Sequence, residues 1–180
     1  MKTSLVLTVI GDDKPGLVEA LSEAIAGQDA NWEESRMAHL AGQFAGMLRV
    51  TVPTERRAAL VRELGKLERE GLRVVTTEAG DEESEPTQLL RLELVADDRA
   101  GIIRDISRAL ADLGVNVEEL SSETTSAPMA GNNLFRMEAT LRAPETMPLE
   151  RVTRVLESLG DELMVDLSFA EVGEQTREAS

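Results

Sequence analysis

Gly11-Asp12-Asp13-Lys14-Pro15-Gly16-Leu17-Val18 returns 85 positions later as Ala96-Asp97-Asp98-Arg99-Ala100-Gly101-Ile102-Ile103. A repeat fixes the architecture before any motif inside it is weighed. The flanks repeat as well. Leu5, Leu7 and Val9 align with Leu90, Leu92 and Leu94, and this alternation makes one face of a strand apolar. After the glycine, Leu17, Leu21 and Ile25 align with Ile102, Ile106 and Leu110, spaced to stack along one helix face. Further on, Phe44 to Pro53 matches Phe135 to Pro144 at an offset of 91, which places about six extra residues near Ser126 to Asn133 as a longer hairpin loop. Leu60, Leu64 and Leu67 match Val152, Leu156 and Leu159 at helical spacing, and Leu72 with Val74 matches Leu163 with Val165 as a closing strand.

Each half therefore reads β-α-β-β-α-β. The expected fold is α+β, two tandem ferredoxin-like modules, each a four-stranded antiparallel sheet with both helices on one face. The expected limits are residues 1–79 and 89–169. Between them lies Ala79-Gly80-Asp81-Glu82-Glu83-Ser84-Glu85-Pro86-Thr87-Gln88, with four acids and no base, which reads as a solvated linker over 80–88. Residues 170–180 show no apolar periodicity and read as a disordered tail.

Composition narrows the function. The 180 residues carry 19 Lys and Arg against 34 Asp and Glu, a net charge of −15 that repels phosphates and anionic membranes. Direct operator binding is therefore not expected. The aromatic residues are Trp32, Phe44, Phe135 and Phe169, too few for a base-stacking platform. There is no cysteine, so disulfides and thiolate chemistry are excluded, which fits a cytoplasmic protein. Near Met1 the apolar run is about six residues, shorter than a signal sequence needs. No stretch approaches the roughly 20 apolar residues of a membrane span.

The turn between the first strand and first helix of each module is where chemistry is expected, because the first helical N–H groups have no partners inside the helix. Two readings stand. In one, Gly16 and Gly101 let the backbone close on a bound carboxylate at the positive end of the helix dipole. In the other, Asp13 and Asp98 cap their helices, Pro15 stiffens the turn, and no ligand is involved. Asn31 and Asn116, where the first helix gives way to the second strand, are expected beside these turns. Each offers a donor and an acceptor for a small zwitterion, or satisfies its own turn. Trp32 is expected to pack. The pairs Asp12-Asp13, Asp97-Asp98, Glu33-Glu34 and Glu118-Glu119 are read as solvated edges, since strand neighbours point to opposite faces and cannot converge on one ion. His39 has no Cys, Tyr or second His to work with, so no nucleophile, base and orienting group can be assembled. Neither a phosphate loop nor a dinucleotide fingerprint occurs, and no cofactor or metal is expected.

Asp98-Arg99-Ala100-Gly101-Ile102-Ile103 followed by Leu113-Gly114-Val115-Asn116-Val117 resembles the ACT-domain pattern, an acidic or polar turn, Gly, an apolar helix, then Gly-Val-Asn-Val. The first half carries a looser version, with Asp29-Ala30-Asn31-Trp32 in place of the glycine-containing stretch. Ser35-Arg36-Met37-Ala38 with Gly42-Gln43-Phe44, and Ser126-Ala127-Pro128-Met129-Ala130-Gly131 before Leu134-Phe135, resemble the glycine cleavage system transcriptional repressor family. That resemblance implies a non-enzymatic regulator, with no catalytic domain attached, that senses glycine or a similar amino acid. It would act on a protein partner such as a transcription activator. The exposed edge strands of each sheet need cover, which pairing of modules within or between chains would give, and a homo-oligomer is expected. In ACT domains the ligand commonly lies between paired modules, so the resemblance carries Gly16, Asn31, Gly101 and Asn116 over as contacts, with Asp13, Leu17, Asp98 and Ile102 beside them. Ala100 stands where the family usually has Pro. The competing reading keeps the fold as a ligand-independent protein-interaction module, with the Ser126 to Asn133 loop as added surface. An enzyme built on Asp12, Asp98 or His39 is the weakest reading.

Overall fold

The computed structural model describes residues 1–80, 86–126, 133–163 and 166–171, with backbone alone from Leu159 onward. The chain divides into two compact units, Met1–Glu82 and Glu83–Ser180. The first runs β1 (Lys2–Asp12), α1 (Leu17–Ala26), β2 (Asn31–Leu40), β3 (Gln43–Pro53), α2 (Arg57–Lys66) and β4 (Leu72–Glu78). The second repeats the order as β5 (Thr87–Asp97), α3 (Ile102–Asp112), β6 (Asn116–Ser126), β7 (Asn133–Pro144), α4 (Leu149–Leu163) and β8 (Asp166–Glu171). The sheets are ordered β2-β3-β1-β4 and β6-β7-β5-β8, with every pairing antiparallel. This is the expected ferredoxin-like arrangement, twice.

Alternation decides which side of each sheet is covered. Leu5, Leu7 and Val9 of β1 and Leu48, Val50 and Val52 of β3 are buried. They form one core with Leu17, Leu21 and Ile25 of α1 and Leu60 and Leu64 of α2, so both helices lie on the same face. Trp32 packs against this core, as its size suggests. In the second unit Leu90, Leu92 and Leu94 meet Ile102, Ile106 and Leu110 of α3 and Val152 and Leu156 of α4. Burying each such side chain contributes about 1.5–3 kcal/mol, so these stripes hold the helices to the sheets.

Several boundaries differ from the expected ones. Thr87 and Gln88, read as linker, begin β5: Thr87 pairs with Pro144, and Gln88 Nε2 donates to the carbonyls of Pro144 and Met147 at 3.2 and 2.8 Å. The helix α4 runs through Leu163, so that residue ends a helix rather than opening the closing strand. The corresponding helix of the first module, α2, ends at Lys66 and passes through a short 3-10 turn to Gly71, which takes a left-handed conformation (φ 86) before β4. The last strand extends to Glu171, paired with Leu90, past the expected start of the tail. Residues 81–85 of the linker, 127–132 of the long hairpin loop and 172–180 of the tail lie outside the described residues.

The acid pairs also behave differently from simple alternation. A bulge falls between Trp32 and Glu34 in β2, and another between Val117 and Glu119 in β6. A bulge puts two residues opposite one and re-aims their side chains. Glu33 and Glu34 accordingly converge on Arg49, at 3.4 and 3.6 Å, and Glu118 holds Arg142 through both carboxylate oxygens at 2.8 and 3.1 Å. Among the described residues no helix is long and apolar enough to cross a membrane.

Candidate functional site

Gly16 and Gly101 end their turns in the same left-handed conformation, φ 95, ψ −7 and φ 98, ψ −2. Side chains with a Cβ rarely adopt it, which explains the glycine at both positions. Each glycine is the N-cap of its helix, and no side chain caps either helix. This corrects the reading in which Asp13 and Asp98 accept helix N–H bonds. The first helical hydrogen bonds run from Ala20 N to Gly16 O (2.9 Å) and from Asp105 N to Gly101 O (3.0 Å). The N–H groups of the first turn therefore precede the helical ladder and have no acceptor within it. The aspartates serve the loop through their backbones instead. Asp13 N donates to Gly42 O at 2.9 Å and Asp98 N to Asn133 O at 2.8 Å, tying each turn to the neighbouring hairpin. Leu17 and Ile102 are buried and anchor the helix starts in the core.

The two turns share a backbone but not a charge. At the second, a cavity of about 340 Å³ is lined by Asp98, Arg99, Gly101, Ile102, Ile103, Arg104, Thr124 and Phe135. That volume falls within the range of small-ligand pockets, roughly 300–1,000 Å³. Arg104 Nε and Nη2 donate to Asp105 Oδ1 at 2.9 and 2.8 Å, and Arg99 Nη2 lies 3.9 Å from Asp105 Oδ2. Two guanidinium groups thus stand around the Asp105 carboxylate at an open helix N-terminus, and their remaining N–H donors and the helix dipole suit a second anion. The 85-residue offset puts Lys14 at the place of Arg99, but Glu19 at that of Arg104. Each helix thus has one acid in its first turn, but Asp105 of α3 is paired with Arg104 and Arg99, whereas Glu19 of α1 stands where the arginine would be.

Asn31 and Asn116 do not lie beside the glycine turns of their own modules. Asn116 pairs with Arg142, which also faces Leu89 of β5, whereas Asp97 at the turn is eight residues further along that strand. At about 3.4 Å per residue the separation is roughly 27 Å. Asn31 stands level with Ser4 through Thr51, with Asp12 eight residues on. The cause is topological: α1 and α3 run back along their sheets, so the next strand starts at the far end. Asn116 Nδ2 there donates to Glu118 Oε1 at 3.2 Å.

Other residues reach the turns instead. Thr124 and Phe135, a cross-strand pair of β6 and β7, line the second cavity. The equivalent pair in the first module is His39 and Phe44. The repeat alignment contained this signal, since His39 matches Thr124 at the offset of 85 and Phe44 matches Phe135 at 91, but the change of offset falls in the hairpin between them, so spacing along the chain does not show that they pair. Among the described residues no group of three or more His, Asp or Glu side chains is placed to hold a metal ion.

Both halves match the ACT domain, over residues 3–77 and 90–161. The chain belongs to the ACT-domain family. A crystal structure of an unknown protein from Galdieria sulphuraria is similar to this ACT protein with a TM-score of 0.82 at 32% identity, spanning 96% of this chain and 99% of that one. Another, assigned as a glycine cleavage system transcriptional repressor, has a TM-score of 0.72 at 18% identity, over 96% of this chain and 98% of its own. No curated protein sequence matches the chain.

Proposed function

We propose that this tandem ACT protein is a non-enzymatic regulator that senses a small amino acid, glycine foremost, and controls transcription through a protein partner rather than by touching DNA. The observation that carries this reading is the Gly101 turn, an uncapped helix N-terminus with Arg99 and Arg104 at the mouth of a cavity of about 340 Å³. The amino acid carboxylate binds the first-turn N–H groups of α3, where the dipole and both guanidiniums favour it. Asp98 and the Thr124 hydroxyl supply acceptors for the ammonium, and Phe135 closes the apolar side. The likeness to a protein assigned as a glycine cleavage system repressor supports glycine as the first ligand to try. A net charge of −15 supports a protein partner, such as a transcription activator, over DNA.

Asp13, Gly16 and Leu17 form the corresponding turn of the first module, with Glu19 reducing its pull on a carboxylate. Asn31 and Asn116 can touch a ligand on a glycine turn only from a different module than the one carrying that turn. The test is thermal unfolding with and without glycine, because a ligand of the native state raises the midpoint by mass action. Gly101→Leu is expected to abolish the glycine-induced rise, while Gly16→Leu leaves most of it. An undiminished rise in Gly101→Leu would place the ligand elsewhere.

A further inference from the structure

A two-layer module has one sheet face under its helices and one turned outward, and the outward face ordinarily carries polar residues. In the second module it does. Arg91, Glu93 and Glu138 point outward there, and Arg91 pairs with Glu138 at 3.0 Å and with Glu93 at 3.1 Å. Their register equivalents in the first module are Val6, Thr8 and Met47. Around these lie Ile10, paired with Ala45, and Val75, paired with Thr8. Ile10, Met47 and Val75 are 48%, 56% and 50% exposed. The same fold in the same chain thus has one outward face with a charged centre and one with an apolar centre. A contiguous exposed apolar surface of this kind marks an interaction site.

We infer that the outward face of the β2-β3-β1-β4 sheet is the surface through which two copies of this chain associate. Charge favours a second copy. Two chains of net charge −15 repel over most of their surfaces. On this face Arg36 and Arg49 are balanced by Glu33 and Glu34, and Arg73 is a further cation, so it brings no negative surplus to the contact. Size agrees. Four strands about 4.8 Å apart, over seven residues at about 3.4 Å each, give a footprint on the order of 450 Å² per copy. Two copies bury about 900 Å² before side-chain relief is counted, close to the ~1,000 Å² at which specific interfaces begin. Two sheets of matching twist can stack face to face, as in sandwiches.

The test is the mass of the full chain by sedimentation equilibrium at micromolar concentration. The wild type is expected to be a dimer. Met47→Glu and, separately, Thr8→Arg are expected to raise the dimer dissociation constant at least tenfold, with far-UV circular dichroism unchanged. The milder Val75→Thr should weaken the dimer in the same direction, which covers the case of a charged variant that fails to fold. Glu138→Ala, on the equivalent face of the other module, should leave the dimer intact. A monomeric wild type would overturn the inference, including one whose melting point falls on Met47→Glu because the face is covered within the chain. So would a dimer that survives both Met47→Glu and Thr8→Arg.

Discussion

Arg104 and Glu19 occupy the same place in two copies of one turn, and this reversal of charge sets their expected chemistry apart. A hydrogen bond to a charged group is worth about 1.5–3 kcal/mol when well formed, but Arg104 is 78% exposed and already bonded to Asp105. Solvent therefore takes part of that value. Arg104→Glu is expected to weaken amino acid binding about tenfold, the equivalent of 1.4 kcal/mol, whereas Glu19→Ala produces no loss; a fluorescence or calorimetric titration of each variant reads this directly. At residue scale the glycines were legible in the sequence because only a left-handed turn explains them at both positions. Asp29 was less so. It takes the left-handed conformation (φ 54) that Gly114 takes (φ 70) at the repeat-equivalent position, so the looser pattern of the first module is the same turn made with a different residue. The contribution of Arg104 was hidden because it lies one helical turn past the glycine, outside the motif.

Strands and helices followed from periodicity, and their order in each half followed from the repeat. What periodicity could not show was where regularity breaks. The bulge at Glu33 turns two adjacent carboxylates toward Arg49 and the one at Glu118 aims that residue at Arg142, and no residue pattern announces them. The separation of Asn31 and Asn116 from the glycine turns is likewise a matter of helix direction. Spacing along the chain placed those asparagines near the motif, and the antiparallel return of the helix carried them to the other end of the sheet. One close approach between elements is testable. Gly11 of β1 lies against the turn before β4, so an added Cβ would land on the carbonyl oxygen of Gly71, a backbone atom with little room to move. Gly11→Ala is expected to destabilise the first module by about 1–3 kcal/mol, the usual cost of overpacking, seen as a lower denaturation midpoint. An unchanged midpoint would mean that β1 and the Gly71 turn shift apart freely. The second module holds Ala96 at that position, buried in its core.

For the whole molecule, duplication acts as an internal control. Two units of one fold keep separate cores, and what differs between them points to function: Arg104 against Glu19 at the glycine turns, a charged against an apolar centre on the outward sheet faces. The acidic balance of the chain is unfavourable to nucleic acid binding. The central claim is amino acid sensing, and isothermal titration of the full chain with glycine, then serine and alanine, tests it most directly. Saturable binding of one of them, lost in Gly101→Leu and weakened in Arg104→Glu, is the predicted result. No heat of binding across the panel, with no shift in melting temperature at saturating ligand, would contradict it and leave the fold as a constitutive protein-interaction module.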